Sequence, residues 1–378
     1  MSRLILLIVA MIVVVGCDDI PNAQVPEQSA SSHFFDQNNT WYKHAAQQIV
    51  AKNQMIEKVQ TQSGAAKNII LFVGDGMNLT TVTASRILEG QQQGQLGEEN
   101  SLSFESFPFS GMAKTYSVDN QVPDSASTMT ALITGIKTNS GIISLNESAT
   151  RGDCSSQLGN QLISALDLAE IAGLSTGIVT TTRVTHATPA ATYAKSADRD
   201  WEDPSKMSQQ AIDQGCEDIA SQLINYEANL EARYQGADSN GIEVVMGGGR
   251  RHFLPVATSS EDQQTQGGFS GNRTDGRNLI AEWKVLYPEG LFMDSRADFD
   301  KANFDSAQQV FGLFNRSHMR FDADRKTKKI KEPSLSEMTD KAIGVLSQNP
   351  KGFFLMVEAG RIDHAHHAGN AFNALSDT

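Results

Sequence analysis

This chain has no surplus of basic residues: 31 Lys and Arg stand against 44 Asp and Glu, a formal charge of −13 over 378 residues. Non-specific attraction to DNA, RNA or anionic lipid is therefore excluded, because no basic surplus exists to release counterions. The basic stretch Arg325 to Lys331 reads as a solvated loop rather than a binding patch. A Walker pattern is missing, since Gly135 to Thr138 lacks the upstream glycine and closes a helix instead of opening one. The run Gly247 to Arg250 reads as the turn after a strand. Ser125 sits in P-D-S-A-S and not in a G-x-S-x-G elbow, which argues against a Ser-His-Asp hydrolase. No internal repeat is present, and cysteine is scarce, with three in all.

The chain is nonetheless long enough, and at 39% hydrophobic apolar enough, for one large α/β domain or two ordinary ones. Its N-terminus carries Arg3, then the apolar stretch Leu4 to Val15, then Gly16 and Cys17. That stretch is too short to span a bilayer comfortably. It resembles a bacterial lipoprotein signal in which Cys17 becomes the lipidated first residue; the alternative is an ordinary secretory signal with an incidental cysteine. Asp18 and Asp19 follow, and an aspartate there resembles an inner-membrane retention signal. The expectation is a signal peptide over 1–17, a Pro-, Gln- and Ser-rich tether over 18–40, and a folded body over 41–378 anchored on the periplasmic side of a bacterial envelope. In that oxidising setting Cys154 and Cys216 could form a disulfide, although two buried free thiols fit the spacing equally well.

Trp41 to Val59 reads as an amphipathic helix. From Asn68 onward, short apolar runs alternate with helical patterns. Asn68 to Gly76, Ser175 to Thr182, Gly241 to Gly249 and Gly352 to Gly360 read as strands, and Leu79 to Leu88 and Gln161 to Ala172 as helices. Strands buried on both faces and alternating with helices predict an α/β fold: three layers, with a mostly parallel central sheet between helices. The polar, less periodic stretch 254–332 is expected to make a loop-rich excursion from that sheet. Ligands in such folds gather at the carboxyl ends of strands.

Several residues there can carry chemistry, and each also has a plain reading. Val357 to His367 packs Glu358, Asp363, His364, His366 and His367 together, offering hard oxygens and softer nitrogens to a magnesium-like and a zinc-like ion. Asp75 between two glycines is a strand-end carboxylate aimed into a site, or simply a turn residue. Ser125 falls at a predicted helix start, where free N–H groups suit a phosphate; Asp124 or Ser125 could equally be an N-cap. His186 and Thr188 would face one side of an extended segment. Arg199 could grip a phosphate with two parallel hydrogen bonds or make a surface ion pair. Together a serine, an arginine fork and several candidate metal ligands point to metal-assisted phosphoryl transfer.

These segments, in the order NIILFVGDGM, VPDSASTMTALITGIKTNSG, VTTTRVTHATPAATYAKSADRDW, VVMGGGR and GFFLMVEAGRIDHAHH, resemble the alkaline phosphatases, and the animal-type members more than the enteric bacterial type. The resemblance runs from about Trp41 to the last residue. It implies hydrolysis of phosphate monoesters by a homodimer with two zinc ions and one magnesium. Ser125 would become a phosphoserine and Arg199 would hold the phosphoryl oxygens. Asp75 would bridge one zinc and the magnesium; Thr188 and Glu358 would complete the magnesium's protein ligands; Asp363 and His367 would bind the other zinc. His186 would sit near metal and phosphate, His364 and His366 would be outer or surface residues, and Cys154 and Cys216 would be joined.

Three departures qualify the resemblance. Ser127 stands where the family has glycine, with a hydroxyl that either adds a hydrogen bond or crowds the helix. Asn315 replaces an acidic residue of the animal enzymes' calcium site near Glu332, so calcium is not expected. The family's later Asp-His pair and final histidine lie beyond Thr378, so a chain ending there is expected to bind zinc weakly and turn over poorly, and the uninterrupted gene product to be active. The other readings are a lipid-anchored phosphate- or metal-binding protein without turnover, and a phosphodiesterase- or sulfatase-like hydrolase of the same superfamily. Arg199 favours a monoester dianion over a diester, and no cysteine fills the nucleophile position that sulfatases need.

Overall fold

The computed structural model describes residues 39–62 and 64–378. The expected signal peptide, Cys17, and residues 18–38 of the expected tether lie outside the described residues. The chain divides between residues 63 and 64 into two units. The first contains helix α1, Thr40–Thr61, capped by Asn39, whose side chain accepts from the Trp41 N–H at 2.9 Å. None of its residues is buried. No helix among the described residues is long and apolar enough to cross a membrane.

The second unit is built on six strands: β1 (Ile69–Gly74), β2 (Ser175–Arg183), β3 (Val244–Gly248), β4 (Leu291–Met293), β5 (Val310–Leu313) and β6 (Phe353–Ala359). Their order is β1-β6-β2-β3-β5-β4, and every pairing is parallel. Alternate side chains divide between two cores, as the period of two requires. Ile178, Phe354 and Met356 pack on one face against Leu166 and Ala169 of helix Ala165–Ile171 and Ala190 of helix Ala187–Tyr193. Val179, Leu355 and Val357 pack on the other face against Met338, Ala342 and Val345 of helix Leu335–Leu346. Each of the larger of these side chains, Val, Leu, Ile, Phe or Met, contributes about 1.5–3 kcal/mol on burial. The three-layer α/β arrangement read from the sequence is the observed one.

Four details differ from expectation. The stretch 254–332 contributes the two strands β4 and β5. Their runs of three and four residues are too short to show a period, and β5 is buried through pairing with β3 and β4. Strand β1 is not buried on both faces: Ile69 is 50% and Phe72 62% exposed, on an edge strand with β6 as its sole partner among the described residues. The helix expected from Gln161 begins instead at Ala165, because Ser164 and Asp167 form a capping box there. Part of the basic stretch expected as loop is helical, Asp322–Thr327, with Arg325 paired to Asp322.

Three more helices frame the strand ends. Helix α2 is Leu79–Gln92, longer than expected, α3 is Ser125–Thr134, and α5 is Ala187–Tyr193, with α4, Ala165–Ile171, between the last two. The register places Glu358 of β6 opposite Val73 of β1 and Thr180 of β2. Strands β1 and β2 are thus separated by β6, and the crevice at their carboxyl ends is where the chemistry-bearing residues converge.

Candidate active site

The site starts from Glu358, which the register buries completely between two strands. Its Oε2 accepts from the hydroxyls of Thr180 and, at 2.9 Å, Thr182. Those two threonines are two apart on β2 and so share a face. Its Oε1 is buried without a hydrogen-bond partner among the described residues. Burial raises the Glu358 pKa, and the hydroxyls of Thr180, Thr182 and Thr188 only partly offset it. Asp75, in the turn after β1, is pushed up to about 7 by burial and by the charges of Glu358 and Asp363, against Arg199 and the Gly76 N–H. Asp75, Glu358 and His186 each present one ligand atom within 4.8 Å of the others. A divalent cation fits here on two counts: it supplies the acceptor-rich centre with its missing positive charge, and it gives Oε1 a partner.

The turn bearing Asp75 lies hard against the helix Arg361–His367. Gly76 has φ +69, and a Cβ on it would fall 2.9 Å from the Asp363 Cα, so glycine alone allows this approach. Within that helix Asp363 and His367 are one turn apart, with Oδ2 and Nε2 separated by 3.5 Å. His366 is exposed and meets the Thr81 hydroxyl at 3.0 Å. His364, expected as an outer or surface residue, is half-buried, its ring centroid 4.2 Å from that of His318 and 5.5 Å from that of His186. The tight turn from β6 into this helix directs it inward.

Ser125 is the first residue of α3, and its hydroxyl has no hydrogen-bond partner among the described residues. Asp124 caps the helix. Its Oδ1 accepts from the Ser127 N–H at 3.1 Å and the Ser127 hydroxyl at 2.8 Å, and its Oδ2 from the Gly141 N–H at 3.0 Å and Arg199 Nη1 at 2.9 Å. Burial pushes the Asp124 carboxyl up, but those donors outweigh it and leave its pKa below the usual value. Arg199 Nη2 donates to His186 Nε2 at 3.2 Å. One carboxylate therefore joins the helix start to the arginine, and the arginine to the acidic cluster. His186 and Thr188 do not lie on an extended segment as expected: His186 precedes α5 and Thr188 is inside its first turn, because β2 ends at Arg183.

Residues 66–378 match the family model described as alkaline phosphatase. The chain is 40% identical to the rat tissue-nonspecific alkaline phosphatase isozyme over 95% of its own length and 64% of that protein's. The chain belongs to the alkaline phosphatase family. An alkaline phosphatase from Atlantic cod, Gadus morhua, is 41% identical over 94% of this chain and 70% of its own length. The crystal structure of the Thermus thermophilus alkaline phosphatase superposes with a TM-score of 0.61 at 28% identity, covering 82% of this chain and 53% of that one. The chain thus spans just under two thirds of the rat relative.

Within this alkaline phosphatase fold, the Ser127 hydroxyl adds a hydrogen bond to Asp124 instead of crowding the helix. Asn315 donates to Glu332 Oε1 at 2.6 Å and the Arg320 N–H donates to Oε2 at 2.9 Å, so protein donors engage both carboxylate oxygens. Cys154 and Cys216 are joined, S–S 2.04 Å. Sequence reading missed the anchoring role of Asp124, the pair Thr180 and Thr182 on Glu358, and His318 altogether. The alternation in the Thr180-Thr181-Thr182 run was a usable signal for the threonines; His318, alone in a polar loop, carried none.

Proposed function

We propose that this protein hydrolyses phosphate monoesters through a phosphoserine formed on Ser125. The reading rests on one observation above all: an unpartnered serine hydroxyl at a helix start shares its capping carboxylate, Asp124, with Arg199 beside a buried acidic cluster. The helix start directs free N–H groups and partial positive charge at the phosphoryl oxygens, and the Arg199 fork supplies two further donors. Ser125 Oγ attacks phosphorus as the ester oxygen leaves; water then attacks the phosphoserine, releasing inorganic phosphate and restoring the hydroxyl. Asp75, Thr188 and Glu358 would hold a magnesium ion, Asp363 and His367 one zinc, and Asp75 with Ser125 a second. Bound there, these ions supply Lewis acidity to the nucleophile and leaving oxygen.

Incubation of the metal-loaded protein with radiolabelled phosphate at acid quench tests this directly. Label stable on wild type and absent from Ser125→Ala is the expected result. Saturable phosphate binding with no covalent label would make the protein a binder and overturn the reading.

A further inference from the structure

His318 has no part in the reaction proposed above, yet its surroundings are unusual. It packs against His364 and, at 5.3 Å between centroids, against His186. Each of the three rings is pinned by a different guanidinium: Arg183 on His318 Nε2, Arg199 on His186 Nε2, and Arg361 on His364 Nδ1 at 2.9 Å. A guanidinium can only donate, so each contacted nitrogen accepts and the other nitrogen of the ring carries the proton. The Nδ1 atom of His318 is buried without a partner among the described residues, and so is Nε of Arg361. Both are N–H donors lacking an acceptor, and such donors are costly when buried.

The charges point the same way. Arg183 is already paired with Glu202 at 2.6 Å, whereas Arg361 ion-pairs with no carboxylate among the described residues and faces Arg320 and Arg183, with Asp377 and Glu332 as its opposing charges. Protonated ring nitrogens cannot ligate a metal, and the arginines repel one. An oxygen-bearing anion would satisfy both donors and balance the arginines.

We propose that His318 and Arg361, with His364 between them, form an accessory oxyanion subsite that accepts a second phosphate or carboxylate group of the ester. It lies one imidazole ring away from the Arg199 guanidinium. This rests on the phosphomonoesterase reading for its substrate, but not for its binding chemistry.

Titration calorimetry of the metal-loaded protein with propylphosphonate, 1,3-propanediphosphonate and inorganic phosphate provides the test. Wild type is expected to prefer the diphosphonate by about tenfold, as one added charge-assisted hydrogen bond implies. His318→Phe keeps the ring and loses the preference; His318→Asn keeps an amide donor and retains most of it. A second equivalent of free phosphate that His318→Phe abolishes would assign the same subsite to phosphate itself. Unchanged affinities and stoichiometry in His318→Phe would overturn the proposal. In turnover, the ratio of kcat/KM for a bisphosphate to that for p-nitrophenyl phosphate falls about tenfold in His318→Phe; an equal loss on both substrates also counts against it. A protein that shows the binding difference but no turnover sinks the hydrolase reading and leaves the subsite standing.

Discussion

Replacing Asp124 separates its role as a helix cap from its role as an anchor for Arg199. Asp124→Ala removes an N-cap, worth about 1 kcal/mol, and leaves the Gly141 N–H without an acceptor, worth about another 1 kcal/mol. The ion pair with Arg199, about a fifth exposed on the arginine side and a quarter on the aspartate side, adds up to about 1 kcal/mol. The expected loss is about 2–3 kcal/mol in total. Asp124→Asn keeps a capping oxygen but turns amide hydrogens toward donors, for a loss of about 1 kcal/mol. Urea unfolding at pH 7.5 should rank wild type above Asn above Ala. The carboxyl has a lowered folded pKa, so its contribution is full above the unfolded value near 4 and disappears as pH falls through the folded value; the gap to Ala narrows in that window. Freed of its anchor, Arg199 should also hold phosphate more loosely, raising the inhibition constant of inorganic phosphate about tenfold. Two variants unfolding within about 0.5 kcal/mol of wild type would refute the assignment of Asp124 as a coupling residue.

Two other groups give independent predictions. Glu170 is pushed up to about 8 by burial and by Glu243, so the folded state holds its proton where the unfolded state has released it. Stability is then lost as pH rises from the unfolded value of 4.5 toward 8, and Glu170→Gln should flatten that slope in urea midpoints measured between pH 5 and 8. Lys195 and Asp167 form a pair 2.7 Å apart with side chains 1% and 0% exposed. Lys195→Met strands a buried carboxylate and should cost about 3–5 kcal/mol, with Asp167→Asn added in the same chain recovering much of it; a single variant as stable as wild type would contradict this.

Much of the fold was readable because its strands are short apolar runs flanked by glycine turns. β2, β3 and β6 were each placed to within a few residues: β3 and β6 are near-continuous apolar runs, as strands buried on both faces require, and β2 sets Ile178 and Val179 among β-branched threonines. β4 and β5 were not, because three or four residues define no period and their burial comes from pairing. At the site, Asp75, Ser125, Arg199, Glu358 and Asp363 were singled out from local motifs; Asp75 feels the charges of Glu358, Asp363 and Arg199, and Arg199 reaches the start of the Ser125 helix through Asp124. Asp124 and His318 depend on partners 75 and 135 positions away, and no local pattern encodes such contacts.

The sequence by itself determined the alternation of strands and helices, the family, and which residue types could do chemistry, because periodicity and motif spacing are local properties. Tertiary structure alone decided which of those groups meet. Inserting β6 between β1 and β2 seats Glu358 beside Thr180, leaves its Oε1 unpartnered, and brings Asp75 and His186 to it. That convergence follows from parallel pairing of strands some 180 residues apart in sequence, where the register fixes what the intervening chain cannot.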